Sequence, residues 1–181
     1  SGRGATPSDM YAIANRRRTT AVVSLPRVFE TPMRTGNLRD PNGPQVTFAS
    51  ESFIDELAAA AKADPVDFRM KLLTAEGANA GTAPNSVGGA LRQANVVKLA
   101  AEKAGWGGQL PAGTGLGLAT SFGQERDMPT WVACVARVNV DKGSGAVKVE
   151  KLTLVADAGT IVDPDGALAQ MQGASLWGLS L

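Results

Sequence analysis

The stretch TWVACVARVNV (residues 130–140), with DKGSG (141–145) and AVKVEKLTLVA (146–156) after it, decides the fold. Val132, Cys134, Ala136, Val138 and Val140 fall on one face of an extended chain, the period-two signal of a strand. Asp141-Lys142-Gly143-Ser144-Gly145 is hairpin chemistry: an Asp to bond amides ahead of it, and glycines for positive φ. Residues 146–156 form the return strand, and the Gly-rich run 113–122 (GTGLGLATSF) enters a strand before the pair.

Working back from the strands, the period becomes helical. Leu91 to Ala104 keeps helical spacing and stops at Gly105. Asp64-Pro65-Val66-Asp67 reads as N-cap, N1 proline and N3 acid of a helix running through Leu73, with Phe68, Leu72 and Leu73 facing in. A helix before it is expected from near Thr47 or Phe48, with Phe53, Ile54, Leu57, Ala58 and Ala61 as its apolar stripe. Glu51, Asp55 and Glu56 fall largely off that stripe and read as solvated, or as acids at the positive helix end. Residues 74–89 are Ala/Gly/Asn-rich, a surface loop. Residues 19–25 (TTAVVSL) read as a strand, and residues 26–45 as a long structured loop. Past the hairpin, 157–163 turns and Asp163-Pro164-Asp165 caps a last helix. The order is strand, loop, three helices, antiparallel strands, helix. That predicts an α+β fold with packed helices on an antiparallel or mixed sheet. Three segments are expected: 1–45 with the first strand and the long loop, 46–110 helical, and 111–181 with the later strands and last helix.

Composition narrows the chemistry. The 181 residues carry 18 Lys/Arg against 17 Asp/Glu, so net charge gives no reason to expect nucleic acid as a partner. Histidine is absent, which removes Ser-His-Asp and Cys-His catalysis and His-ligated metal. A lone cysteine, Cys134, makes no internal disulfide and holds no iron–sulfur cluster; in mid-strand it reads as a buried small hydrophobe. No run approaches a membrane span, and the Ser1-Gly2-Arg3-Gly4 start lacks a signal-peptide core. Both ends read as cuts rather than natural termini. Arg16-Arg17-Arg18 reads as a solvated run.

The loop Arg34 to Gln45 is the most informative stretch for function. Gly36 and Gly43 permit close backbone approach, Pro41 and Pro44 fix the path, and Arg39 offers planar bidentate donors for a phosphate or flat heterocycle. The loop leads into a helix N-terminus, where amides favour anions. It is either a ligand-facing loop or a rigid surface turn. The glycines at 113, 115 and 117 suit a strand start better than a phosphate cradle, because no strand precedes them and no helix follows. Asp157 and Asp163 read as caps on backbone amides, and Glu125-Arg126-Asp127 as an exposed turn. No pair of carboxylates stands out as general acid and base. Gly166, Gly173 and Gly178 in the last helix suggest close packing, against another element or a cofactor.

Several of these motifs together resemble the molybdenum hydroxylases, the xanthine dehydrogenase and aldehyde oxidase superfamily. Leu38 to Gln45 followed by Phe48-Ala49-Ser50-Glu51-Ser52-Phe53-Ile54-Asp55-Glu56-Leu57-Ala58 is similar to the family's loop and F-A-x-E-S-F-I-D-E-L-A helix. Asp64-Pro65 with Phe68-Arg69, then Ala100 to Trp106, then Val155 to Asp165 with Gln170 to Gly173 and Gly178-Leu179-Ser180, resemble further family segments in order. The pattern is most similar to bacterial isoquinoline 1-oxidoreductase, nicotinate dehydrogenase and membrane-linked aldehyde dehydrogenase large subunits. Asp163 stands where the family has Asn, Gln172 where it has Glu, and Asp40-Pro41-Asn42 replaces a small-or-aromatic stretch.

The resemblance implies a fragment of a molybdopterin-binding large subunit of an oxidoreductase that hydroxylates an aldehyde or N-heterocycle with oxygen from water. The implied cofactor is a molybdenum–molybdopterin cytosine dinucleotide, contacted here by Arg39, Asp40, Pro41, Asn42 and Gly43, with preorganised donors stabilising negative charge. The implied partners are the remainder of the large subunit, a small 2Fe-2S subunit, a cytochrome c or another electron acceptor, and a small-molecule substrate. The implied place is the bacterial cytoplasm or the periplasmic face of the inner membrane. The catalytic glutamate of a G-x-G-E motif is expected downstream of residue 181 and the G-Q-G pterin motif upstream of Ser1, so no catalytic residue is assigned within the chain. The competing expectation is a non-catalytic α+β scaffold or binding module that keeps the fold without the cofactor.

Overall fold

In a computed structural model, residues 10–15, 17, 19, 21, 43–76, 78, 89–125 and 128–180 are described. The turn that the sequence marks between two strands forms as its residues require. The Asp141 carboxylate accepts from the amides of Gly143 at 2.7 Å and Ser144 at 3.0 Å. Gly145 takes φ +73°, which closes the hairpin without a Cβ clash. The elements are α1 (Gly43–Ala60), α2 (Pro65–Thr74), α3 (Gly89–Ala104), β1 (Thr114–Glu125), β2 (Met128–Val140), β3 (Val147–Asp157) and α4 (Pro164–Leu179). The strands form one antiparallel sheet in the order β1-β2-β3. The fold is α+β, as expected. The expected strand at 19–25 and most of the 26–45 loop lie outside the described residues.

Asp64 caps α2 through the amides of Val66 at 2.8 Å and Asp67 at 3.1 Å. Asp163 caps α4 through the amide of Gly166 at 3.1 Å. Three expectations need correcting. First, α1 starts at Gly43, ahead of Thr47: Gly43-Pro44 opens the helix instead of ending the loop, because proline fits a first turn whose amides have no helical partner.

The second concerns the sheet. Alternation along β2 identifies two faces but not which is covered. Trp131, Ala133 and Val135 are buried, with Leu118 and Thr120 of β1, against the buried side of α3 (Ala90, Gln93, Ala94, Val97, Ala101). Val132, Cys134, Ala136 and Val138 lie half-buried on the reverse face. Trp131 brings more apolar area than any residue on that face, so its side is the one that repays burial. Cys134 is therefore half-buried rather than buried. Desolvation still pushes its thiol above the ordinary range, away from thiolate chemistry.

The third concerns α1. Its buried residues are Glu51, Ile54 and Ala58, spaced i, i+3, i+7. Phe53 and Ala61, expected on the stripe, are exposed.

The helices and the inner sheet face share one core that also takes in Met10, Tyr11, Val66 and Leu73. In contrast, α4 buries no residue. From Gly166 to Ser180 it carries no charged side chain, and Leu168, Leu176, Trp177 and Leu179 are exposed. A Cβ at Gly173 or Gly178 would meet nothing within 4 Å, so the close packing expected of these glycines is not made by the described residues.

Candidate functional site

The residues that bring the elements together around α1 are polar and buried. Glu51 sits on the inner side of α1. Its Oε1 accepts from the Tyr11 hydroxyl at 3.0 Å. Its Oε2 accepts from Arg69 Nε at 3.0 Å and from the backbone amide of Thr120, in β1, at 3.0 Å. Arg69 is fully buried. Its Nη1 donates to Asp55 Oδ1 at 2.6 Å and to the Pro65 carbonyl at 3.2 Å, and its Nη2 to the Glu51 carbonyl at 3.2 Å. A guanidinium is suited to this place because its planar fork serves several acceptors at once. Burial drives the Glu51 carboxyl upward, and this outweighs the opposing pull of Arg69 and of the Thr120 and Tyr11 hydrogen bonds.

This node corrects the reading of Glu51 as a solvated or helix-end acid. Its partners lie 18, 40 and 69 residues away in sequence, beyond the reach of a local pattern. The available signal was the spacing Glu51, Ile54, Asp55, Ala58, which places the acid on the buried stripe.

A second cluster lies two residues further along the strands from Thr120, where Phe122, Trp131 and Asp157 stand side by side. Arg92 of α3 donates from Nε to Asp157 Oδ2 at 2.7 Å, and from Nη2 to Oδ1. The guanidinium lies 3.9 Å from the centre of the Trp131 ring, which in turn meets Phe122 at 5.3 Å. Arg92 holds the Asp157 carboxyl below its ordinary value, and the Gly159 amide adds a cap at 3.1 Å. Asp157 thus joins an ion pair to the expected capping. A third link is Trp106 Nε1 to Asp64 Oδ2 at 2.9 Å. Asp64-Pro65 and Phe68-Arg69, Ala100 to Trp106, the Glu51 helix and Asp157 were separate motifs in the sequence. In space they are joints of one scaffold.

Of the residues expected at the cofactor, Gly43 is the first residue of α1. Arg39, Asp40, Pro41 and Asn42 lie outside the described residues. The first turn of α1 carries no acidic residue, so its positive end is not neutralised there. One turn on, Thr47 Oγ1 lies 3.3 Å from Ser121 Oγ of β1. The glycines at 113, 115 and 117 open β1 and form no helix-capped cradle. Among the described residues no group of three His, Cys, Asp or Glu could hold a metal ion. No described helix is long and apolar enough to cross a membrane.

An α+β unit with no acidic residue in the first turn of α1 agrees with what comparison with known proteins finds. Residues 39–181 match the family described as molybdopterin cofactor-binding domain, and the chain belongs to that family. Among relatives, it is 54% identical over 153 residues to a membrane-bound aldehyde dehydrogenase (pyrroloquinoline-quinone) of Gluconacetobacter polyoxogenes, covering 84% of this chain and 20% of the relative. It is 33% identical over 137 residues to the beta chain of isoquinoline 1-oxidoreductase from Brevundimonas diminuta, covering 76% and 16%. It is also 33% identical over 145 residues to the B component of nicotinate dehydrogenase from Pseudomonas putida, covering 70% and 10%. The chain thus spans a fifth or less of the length of these relatives.

The donor chemistry fits the family's group. A molybdopterin carries phosphate, and the positive dipole end of α1, with no carboxylate in its first turn, is compatible with an anion.

Proposed function

We propose that this chain is the part of a molybdenum hydroxylase large subunit that presents one cofactor-contact segment and the scaffold behind it. The segment is Arg39-Asp40-Pro41-Asn42-Gly43, the last of which begins α1. Arg39 would pair its guanidinium with an anionic or heterocyclic edge of a molybdopterin cytosine dinucleotide, and Gly43 would let backbone approach it closely. When bound, that group supplies two-electron redox chemistry at its metal. The chain's own contribution is binding and orientation; the catalytic base is assigned to a segment outside residues 1–181.

The parent enzyme is proposed to hydroxylate an aldehyde or an N-heterocycle with oxygen from water. The names of the relatives, an aldehyde dehydrogenase, an isoquinoline oxidoreductase and a nicotinate dehydrogenase, support both substrate classes. The uncovered apolar surface of α4 is assigned to the remainder of the large subunit. A small 2Fe-2S subunit would take the electrons on to a cytochrome c or another acceptor. The place would be the bacterial cytoplasm or the periplasmic face of the inner membrane.

The observation that carries the reading is the position of Gly43, at the unneutralised start of α1 and within the span that matches the family. The test is metal analysis of the native complex, with release of the nucleotide by acid. Near-stoichiometric molybdenum with a pterin nucleotide is the expected result. A released quinone without molybdenum would overturn the reading, and the name of the Gluconacetobacter relative makes that the specific competitor. Neither group in a folded, full-length preparation would leave a non-catalytic scaffold.

A further inference from the structure

We propose that the Glu51–Arg69 node is a positioning device for the N-terminal end of α1, setting where Gly43 stands against the sheet; for the cofactor, the inference rests on the reading above. Among the described residues, the buried residues of α1 start at Glu51, and its first two turns, 43–50, hold no fully buried side chain. Polar contacts fix their direction instead. Gly43, Thr47 and Glu51 recur every fourth residue and share one helix stripe. Thr47 meets Ser121 and Glu51 meets the amide of Thr120, so successive turns of α1 are tied to successive residues of β1.

Arg69 then holds α1 from behind. It grips the Glu51 side chain, the Glu51 carbonyl and Asp55 with one rigid group whose own base is fixed on α2. Glu51 lies about 12 Å from the helix start at 1.5 Å per residue, with the Thr47–Ser121 contact between them. A small rotation at the node becomes a larger displacement at Gly43. Apolar packing of similar volume would supply stability but no comparable directional constraint, the property for which buried ion pairs are sometimes retained.

The test uses the full-length protein and two variants. Glu51→Gln with Arg69→Met removes both charges together and leaves neither ion without its partner. Thr47→Val removes the outer tie alone. The readouts are amide hydrogen exchange of residues 43–50 against α3, and molybdenum and pterin-nucleotide content per folded protein. In the double variant, exchange at 43–50 is expected to rise about tenfold while α3 stays protected, and cofactor content to fall about fivefold. Thr47→Val is expected to move both in the same direction by about twofold.

A folded double variant with wild-type exchange at 43–50 overturns the proposal. If the double variant does not fold, Thr47→Val decides it: unchanged exchange overturns, raised exchange supports. Raised exchange with full cofactor retention overturns the link between the node and the cofactor. A wild-type protein holding no molybdenum and no pterin defeats the functional reading alone. The exchange comparison then still tests whether the node directs the helix.

Discussion

The node at Glu51 and the helix α4 are opposite cases of burial within one chain. At the node, two charged side chains have been taken out of water, and polar partners from the N-terminal segment, α1, α2 and β1 compensate them. On α4, an uncharged run from Gly166 to Ser180 stands in water with no residue buried. The first region is complete in itself. The second is an apolar surface that no described residue covers. A helix apolar on all sides is ordinarily buried. Among the described residues, what distinguishes α4 is that none of its side chains is buried.

The largest effect should come from splitting the node. Arg69→Ala leaves Glu51 buried without its cation and is expected to cost about 3–5 kcal/mol of stability. Denaturant melts would measure it, and a cost below about 1 kcal/mol would mean that water reaches Glu51. Leu73→Ala, in the apolar part of the same core, should cost about 2–5 kcal/mol through lost contacts and a cavity. Were it to cost more than Arg69→Ala, the polar node would be the lesser part of that core.

Arg39→Ala in the complete enzyme is expected to lower cofactor occupancy or turnover at least tenfold, about 1.4 kcal/mol. Full metal loading with unchanged kinetics would remove Arg39 from the site.

Next comes the Arg92–Asp157 pair. Because Arg92 lowers the Asp157 carboxyl in the folded state, its contribution is present above the ordinary Asp value and is lost as pH falls through the lower folded value. The pair is partly exposed, so Asp157→Asn should cost only about 1 kcal/mol at neutral pH. The gap between variant and wild type should close below about pH 4; a gap that widens on acidification would reverse the sign assigned here.

The smallest effect belongs to α4. Within residues 1–181, Leu176→Ala should change stability by no more than about 0.5 kcal/mol. In the parent protein the same change should cost about 2 kcal/mol or more, as burial of the leucine would require. Equal costs in both contexts would erase the contrast between the two regions.

Much of the architecture was legible from local chemistry. Asp64-Pro65 and Asp163-Pro164 announce helix starts, Asp141 to Gly145 a hairpin, and Gly105 the end of α3, because each acts through amides or φ values a few residues away. The reading failed where the deciding partner is distant. Glu51 resembles any helix acid until Arg69, Tyr11 and Thr120 converge on it. The two faces of β2 look alike in alternation, and only α3 chooses between them. Gly43-Pro44 reads as loop or helix start until the backbone beyond it is known. For the candidate site, the sequence proposes the segment from Arg39 to Gly43 through resemblance, and of these only Gly43 lies among the described residues. The scaffold that directs its helical end was invisible, being made of contacts between motifs.

The amide of Thr120 has one more consequence. A sheet can grow by adding a strand wherever an edge offers unpaired backbone groups. On the β1 side, Glu51 has already claimed one such group from within the fold. Among the described residues β1 and β3 are the two borders of the sheet, and β3 exposes Lys148, Glu150 and Lys151. Addition of a strand is therefore opposed at Thr120 on one border by an internal carboxylate, and on the other by charge.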